Sequence, residues 1–338
     1  MTSQTRSRAV FLALLAFPLV GAAPLAAPQS ETEPAHFFHT VIHLTNSEIA
    51  HIRRGRAVAK ILPTGDASEI YVFGAVYIHG DPESYLQLAH DIGGLRKLPG
   101  YLAAGEFSNP PKLSDLTGFS FSPEDIKDLR ECRPGHCDLQ LPAENMEEFQ
   151  RSVDWNAKDA AAQATALARQ MTIAAIESYQ QGGNSALGVY RDKRDPLRVA
   201  DQFRALLSHA EFIPEYLPAL DSYLLDYPND RAPDCQDFFY WEKVNFGLKP
   251  TIRVNHAIIY KGPGKTQTVD AVAVKQLYAS HYFETALDLS VCVRDSDHLD
   301  EDGYYLITVK GSRQAGLTGL KGSIIRRVAV DKTRGSLV

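Results

Sequence analysis

The spacing of apolar residues changes character three times along this chain. In the first stretch, "TNSEIAHIRRG" reads as a short capped helix ending at Gly55. "RAVAKIL" and "EIYVFGAVYI" follow as two strands joined through the Thr64–Ser68 turn. In the second strand Ile70, Val72, Val76 and Ile78 share one face, and Tyr71, Phe73, Ala75 and Tyr77 share the other. A strand apolar on both faces is covered on both, by protein or by ligand. "DPESYLQLAHDI" then starts a helix, with Asp81 as cap and Pro82 at the first helical position.

Residues 111–233 are mostly helical in pattern. "SPEDIKDLREC" repeats the cap grammar with Ser122 and Pro123, and "NAKDAAAQATALARQMTIAAIESYQQGG" is the longest helix, stopped by Gly182 and Gly183. Leu167, Met171 and Ala174 lie on one side of it and read as a packing face. From 196 to 227 the helical pattern continues, broken by Pro214 and Pro218.

Beyond residue 234 the pattern turns to strands: "DFFYWEKVNFG", "PTIRVNHAIIY", "VDAVAVKQLYASHYFETALDLSVCV" and "GYYLITVK". The third is too long for one strand, so it bends or holds two. Leu317, Leu320, Ile324 and Val328 recur at helical spacing near the C-terminus, with Arg326 and Arg327 outside. Sequential strands with short turns imply an antiparallel sheet, and the whole order implies an α+β fold.

The opening changes this picture. Arg6 and Arg8 precede an apolar stretch, Ala9 to Val20, and then Ala-rich positions, which together read as a signal peptide over 1–27. Cleavage fits after Ala27, with Ala23 as the alternative. Residues 28–338 then form a single elaborated domain, with 111–233 as a helical insertion. No later segment approaches about 18 unbroken apolar residues, so no transmembrane segment is expected in the mature chain. The expected location is secreted or periplasmic. Losing two of the 35 basic residues leaves 33 against 41 acidic ones, a net charge of about −8. That argues against a nucleic-acid partner.

Four cysteines in an exported chain favour disulfides. "CRPGHC" brackets a Pro-Gly turn, so Cys132 and Cys137 can close a small ring worth roughly 2 kcal/mol. Whether Cys235 and Cys292 are bridged stays open, because spacing does not give connectivity.

The candidate chemistry lies in the histidines. In "YASHYFETALDL" an extended chain puts His281 in an apolar row with Leu277, Ala279, Phe283 and Leu287, and points Ser280 and Glu284 the other way. No nucleophile–base pair is formed by such an arrangement. One strand earlier, Ile252, Val254, His256, Ile258 and Tyr260 share a face. Each histidine is thus the lone polar group of an apolar row, either a satisfied core residue or the polar contact of a ligand in one shared cavity. His36, His39 and His43 in "HFFHTVIHL" would lie within one face of a helix. The β-branched run reads as extended, which parts His39 and His43 by roughly 13 Å, too far to chelate together. No metal is therefore assigned. "GPGKTQT" has Ile259 where a phosphate loop needs glycine and reads as a hairpin turn; "RDSDHLDEDG" reads as a solvated acidic turn. No catalytic motif is recognised and no cofactor is assigned.

The segment "RGRAVAKILPTGDASEIYVFGAVYIHGDPESYLQLAHDI", and the block from "VDAVAVKQLYASHYFETALDL" through "YYLITVK" to the final helix, resemble the helix-grip superfamily of START-related and plant allergen-like ligand binders. The "YASHYF" strand is also similar to strands of uncharacterised exported bacterial proteins. The helix-grip resemblance implies a curved antiparallel sheet gripping a long C-terminal helix, with an apolar cavity between them. The residues it would use here are Tyr71, Phe73, Tyr77, Ile252, Val254, Ile258 and Phe283 as liners, with His256, His281 and Tyr282 orienting the ligand. The expected function is non-enzymatic binding or transfer of a hydrophobic small molecule or lipid. The alternatives are an enzyme of the same fold using a cavity histidine as acid or base, and an envelope module that docks a partner through its helical middle.

Overall fold

In the computed structural model, which describes residues 33–232, 235–295, 302–314 and 319–337, the two apolar faces of one long strand separate two layers of helix. The chain begins with α1 (Ala35–Thr40), α2 (Asn46–Arg53), β1 (Val58–Leu62), β2 (Glu69–His79), α3 (Pro82–His90) and β3 (Tyr101–Glu106). A helical block follows with α4 (Pro123–Glu131), α5 (Ala143–Ser152) and α6 (Ala160–Gly182). The two-residue strands β4 (Val189–Tyr190) and β5 (Leu197–Arg198) come next, then α7 (Val199–Ser208), α8 (Phe212–Tyr216) and α9 (Pro218–Asp226). The last part is β6 (Cys235–Val244), β7 (Thr251–Pro263), β8 (Thr268–Ala279), β9 (Phe283–Val293), β10 (Gly303–Gln314) and α10 (Gly319–Gly335).

The fold is α+β. One antiparallel sheet runs β1–β2–β10–β9–β8–β7–β6–β3 and stays open, with β1 and β3 at its edges. β2 pairs with β10 from Glu69–Arg313 to His79–Gly303, so strands from the two ends of the chain meet inside the sheet. The described residues belong to one compact unit. The expected signal peptide and its cleavage positions lie outside the described residues, as does most of the expected acidic turn after Arg294. Among the described residues no helix is long and apolar enough to cross a membrane.

Tyr71, Phe73, Ala75 and Tyr77 face the helical block and α1, where Phe38 meets Phe73 at 6.1 Å and Tyr305 at 5.7 Å. Burying a side chain such as Phe73 contributes about 1.5–3 kcal/mol. The opposite face, with Ile70, Val72 and Val76, receives α10. There Gly74 lets the helix approach closely: a Cβ would lie 2.7 Å from Leu337 Cδ1 and 2.9 Å from Thr333 Cγ2.

Local signals fared well where a cap was involved. Thr45, Asp81 and Ser122 all accept from the first turn of their helices. Four expectations need correction. "HFFHTVIHL" opens with the helix α1, because burial of Phe37 and Phe38 outweighs the strand preference of its β-branched neighbours. The long "VDAVAVKQLYASHYFETALDLSVCV" segment holds two strands, as expected, but they are the hairpin β8 and β9 with a turn at Ser280 to Tyr282, where Tyr282 has φ 65°. Extended-chain parity therefore does not hold across His281. Val328 is exposed, and Ile325, Ala329 and Thr333 carry the sheet-facing side of α10, with Leu337 continuing it just past the helix end. On α6 Leu167 and Met171 do pack against the core, but Ala174 is exposed and the fully buried stripe is Ala164, Ala168, Ile176 and Tyr179. Cys132 and Cys137 are bridged, whereas Cys235 and Cys292 are free and buried.

Candidate functional site

Two cavities open between the sheet and the helices that cover its Tyr71–Phe73 side. The larger, about 120 Å³, lies under α5 and α6 and above β7 and β8. Phe119, Phe121, Leu141, Phe149, Ala168, Met171, Ile176, Leu187, Val254 and Leu277 supply its apolar wall, and Tyr179, Tyr190 and Tyr278 add rings tipped with hydroxyls. The smaller, about 70 Å³, lies among α1, α8 and strands β8–β10, lined by Phe37, Phe212, Leu217, Val269, Leu289, Val291 and Ile307. Both are on the sheet face opposite α10. The expected placement between sheet and terminal helix fails for these two cavities because Gly74 allows α10 to pack tightly, while bulky rings hold the helical block off the other face.

A buried polar chain adjoins the larger cavity. Gly183, at φ 55°, ends α6, and a Cβ there would collide with the Tyr227 carbonyl; this close approach sets Tyr227 flat against Tyr179, ring centres 4.9 Å apart. β7 carries His256 into the same space, stacked on Phe239 at 4.7 Å and edged by Tyr227 at 4.5 Å. His256 Nε2 is 3.1 Å from Asp237 Oδ2, and its Nδ1 is 3.3 Å from the Tyr179 hydroxyl. Lys275, from β8, donates to that hydroxyl at 3.1 Å, to Leu224 O at 3.4 Å and to Asn184 Oδ1. Tyr223 donates to Asp237 Oδ2 at 3.1 Å, and Arg231 pairs with Oδ1 at 2.8 Å.

Electrostatics assign the protons. Burial alone would raise the Asp237 carboxyl; the hydrogen bond from His256, the charge of Arg231 and the hydrogen bond from Tyr223 outweigh it and hold the group below its ordinary value. Burial drives His256 down to about 4, against the pull of Asp237. A neutral imidazole beside a carboxylate carries its proton on Nε2, so Nδ1 accepts from Tyr179. Burial also raises the Tyr179 phenol and lowers the Lys275 ammonium, each well away from its ordinary value. The hydrogen bonds thus run in one direction, from amine to phenol to imidazole to carboxylate. Such a chain can pass a proton without opening to water.

The two expected histidines are not brought together. His281 sits in the β8–β9 turn, 3% exposed, with Nε2 at 3.0 Å from Asp125 Oδ1 and Nδ1 at 3.1 Å from Asp138 O. His256 is sealed among aromatic rings, and neither histidine lines either cavity. Of the expected liners, Val254 borders the larger cavity. Tyr71, Phe73, Tyr77, Ile252 and Ile258 are packed core. Tyr282 accepts from the Lys249 backbone at 3.1 Å, and Phe283 meets Phe246 at 5.1 Å with Arg253 over its ring. Tyr179, Asp237 and Lys275 were not anticipated. Lys275 had a legible signal: it falls in register with Ala271 and Ala273 in a strand whose neighbours are nearly all apolar. Among the described residues no group of three or more His, Cys, Asp or Glu side chains is placed to hold a metal.

Comparison with protein-family models finds no match to this chain, and comparison with curated proteins finds none that is significantly similar.

Proposed function

We propose that this protein is exported and binds a hydrophobic small molecule, or one apolar arm of a lipid, in the cavity beneath α5 and α6. The carrying observation is that cavity: about 120 Å³, walled by aliphatic and aromatic side chains. An apolar void of about 150 Å³ stays dry and takes up benzene, so this one suits a ring or a short alkyl segment. Each Å² of apolar contact favours the guest by about 25 cal/mol before ordering costs. Tyr179 and Tyr190 offer hydroxyls for orientation. The Cys132–Cys137 bridge accords with an oxidising compartment and with the apolar opening of the chain. The helix-grip reading draws support from the strand pair, the β6–β10 meander and the closing helix packed on Ile70 and Val72. Docking through 156–227 has less to stand on. Of the exposed large apolar side chains among the described residues, Leu225 alone falls there.

Native mass spectrometry of gently purified protein tests the reading, together with calorimetric titration of benzene. A bound guest is expected, and Ala168→Leu, which fills the cavity from its wall, should abolish uptake while keeping the fold. A clean unliganded mass in every preparation, with no uptake of benzene, rules the proposal out.

A further inference from the structure

We propose that Lys275 is the nucleophile of a carbonyl-capture site, forming an imine with an aldehyde or ketone whose apolar tail lies in the cavity beneath α5 and α6. The inference rests on the cavity reading above and names the class of ligand.

Three observations carry it. Lys275 is wholly buried, and among the described residues no carboxylate lies within ion-pair distance of its Nζ. Buried cations are ordinarily paired, so an amine left among neutral acceptors is suited to the uncharged, nucleophilic form. The groups facing it are the Tyr179 hydroxyl on α6, Asn184 after it, the Leu224 carbonyl on α9 and the Phe203 ring on α7, 4.2 Å from Nζ. His256 and Asp237 stand one and two hydrogen bonds further on. Tyr179 is shared: its side chain lines the cavity and its hydroxyl touches Nζ, while Leu277, two residues along β8, lines the same wall. The relay behind it holds that hydroxyl in place, and burial keeps the phenol protonated.

The step balances without any co-reactant. The Nζ lone pair forms a bond to the carbonyl carbon as the C=O π pair moves to oxygen. The Tyr179 hydroxyl turns its proton from His256 Nδ1 to that oxygen, gives it up there and takes one from Nζ, leaving a neutral carbinolamine. The C–O bond then breaks as the nitrogen lone pair forms C=N, and the second Nζ proton passes through Tyr179 to the departing oxygen. One amine and one carbonyl become one imine and one water, and Tyr179 ends as it began.

The full chain is incubated with butanal and cyanoborohydride at pH 6, and the butylated lysines are mapped by peptide mass spectrometry. At that pH an ordinary lysine is almost wholly protonated and slow. The expected result is a butyl group on Lys275 well ahead of every other lysine, suppressed when benzene occupies the cavity. Tyr179→Phe should slow labelling on the order of 100-fold, with folding checked by circular dichroism. Suppression by benzene needs no variant and so survives a folding failure. Labelling spread over surface amines and absent from Lys275, while benzene still binds, overturns the imine and leaves the cavity reading standing. If benzene does not bind either, both fall together.

Discussion

His281 Nε2 lies 3.0 Å from Asp125 Oδ1, and this contact ties the β8–β9 turn to the first turn of α4. Asp125 also accepts from the Ser122 backbone at 3.2 Å, closing the capping box of that helix. Both side chains are almost fully buried. Replacing Asp125 with Ala strands a buried imidazole N–H and a cap N–H together, so a loss of about 2–4 kcal/mol is expected. Urea unfolding of the two single variants and of the Asp125→Ala/His281→Ala pair provides the check. The double variant should lose clearly less than the two single losses added together, and simple additivity would contradict the coupling.

Acidification should destabilise the protein between about pH 6.5 and pH 4. His256 stays neutral in the fold down to about 4, against an ordinary value of about 6.5. In that window the unfolded chain binds a proton that the folded chain refuses, so stability rises with pH. The difference is worth about 3 kcal/mol at most. Asp237 and Asp125, whose histidine hydrogen bonds overcome burial and hold them below the ordinary carboxyl value, act in the same direction at lower pH. Their contribution is complete above the unfolded carboxyl range and is lost as pH falls through their folded values. Thermal midpoints from pH 7 to 4.5 should fall, and His256→Gln should flatten the upper part of that decline. An unchanged slope in the variant would move the titration to another group.

Gly74→Ala should loosen the terminal helix. The new Cβ would press on Leu337, Thr333 and Thr308 at 2.7–3.0 Å, all of them side chains in a packed layer. Such overpacking costs about 1–3 kcal/mol. Limited proteolysis should cut first at α10 in the variant, and a cleavage pattern identical to wild type would show that the helix accommodates the methyl group.

Thiol chemistry separates the four cysteines. Cys235 and Cys292 are buried, and burial raises them to about 11 and about 12. Thiolate is the reactive form, so at pH 8 the folded protein should resist iodoacetamide and the unfolded, unreduced protein should take up two equivalents. Reduction adds the Cys132–Cys137 pair and should lower stability by roughly 2 kcal/mol. Rapid alkylation of the native state would place one of the buried thiols at the surface.

The amino-acid order by itself determined what depends on near neighbours. Caps at Thr45, Asp81 and Ser122, the strand with two apolar faces at Glu69–His79, the Pro-Gly ring at Cys132–Cys137 and the α+β order all follow from short-range geometry. A backbone's local state responds to residues within one or two turns, and those are written side by side. Only the tertiary structure decided which groups meet. Lys275 reaches Tyr179 across 96 positions, and His281 reaches Asp125 across 156. Likewise α1 is helical because Phe38 finds Phe73 and Tyr305. The cavities lie away from α10 because one glycine admits that helix while a row of rings props the other layer apart. Alternation shows that a strand has two faces, but the identity of what covers each is a property of packing.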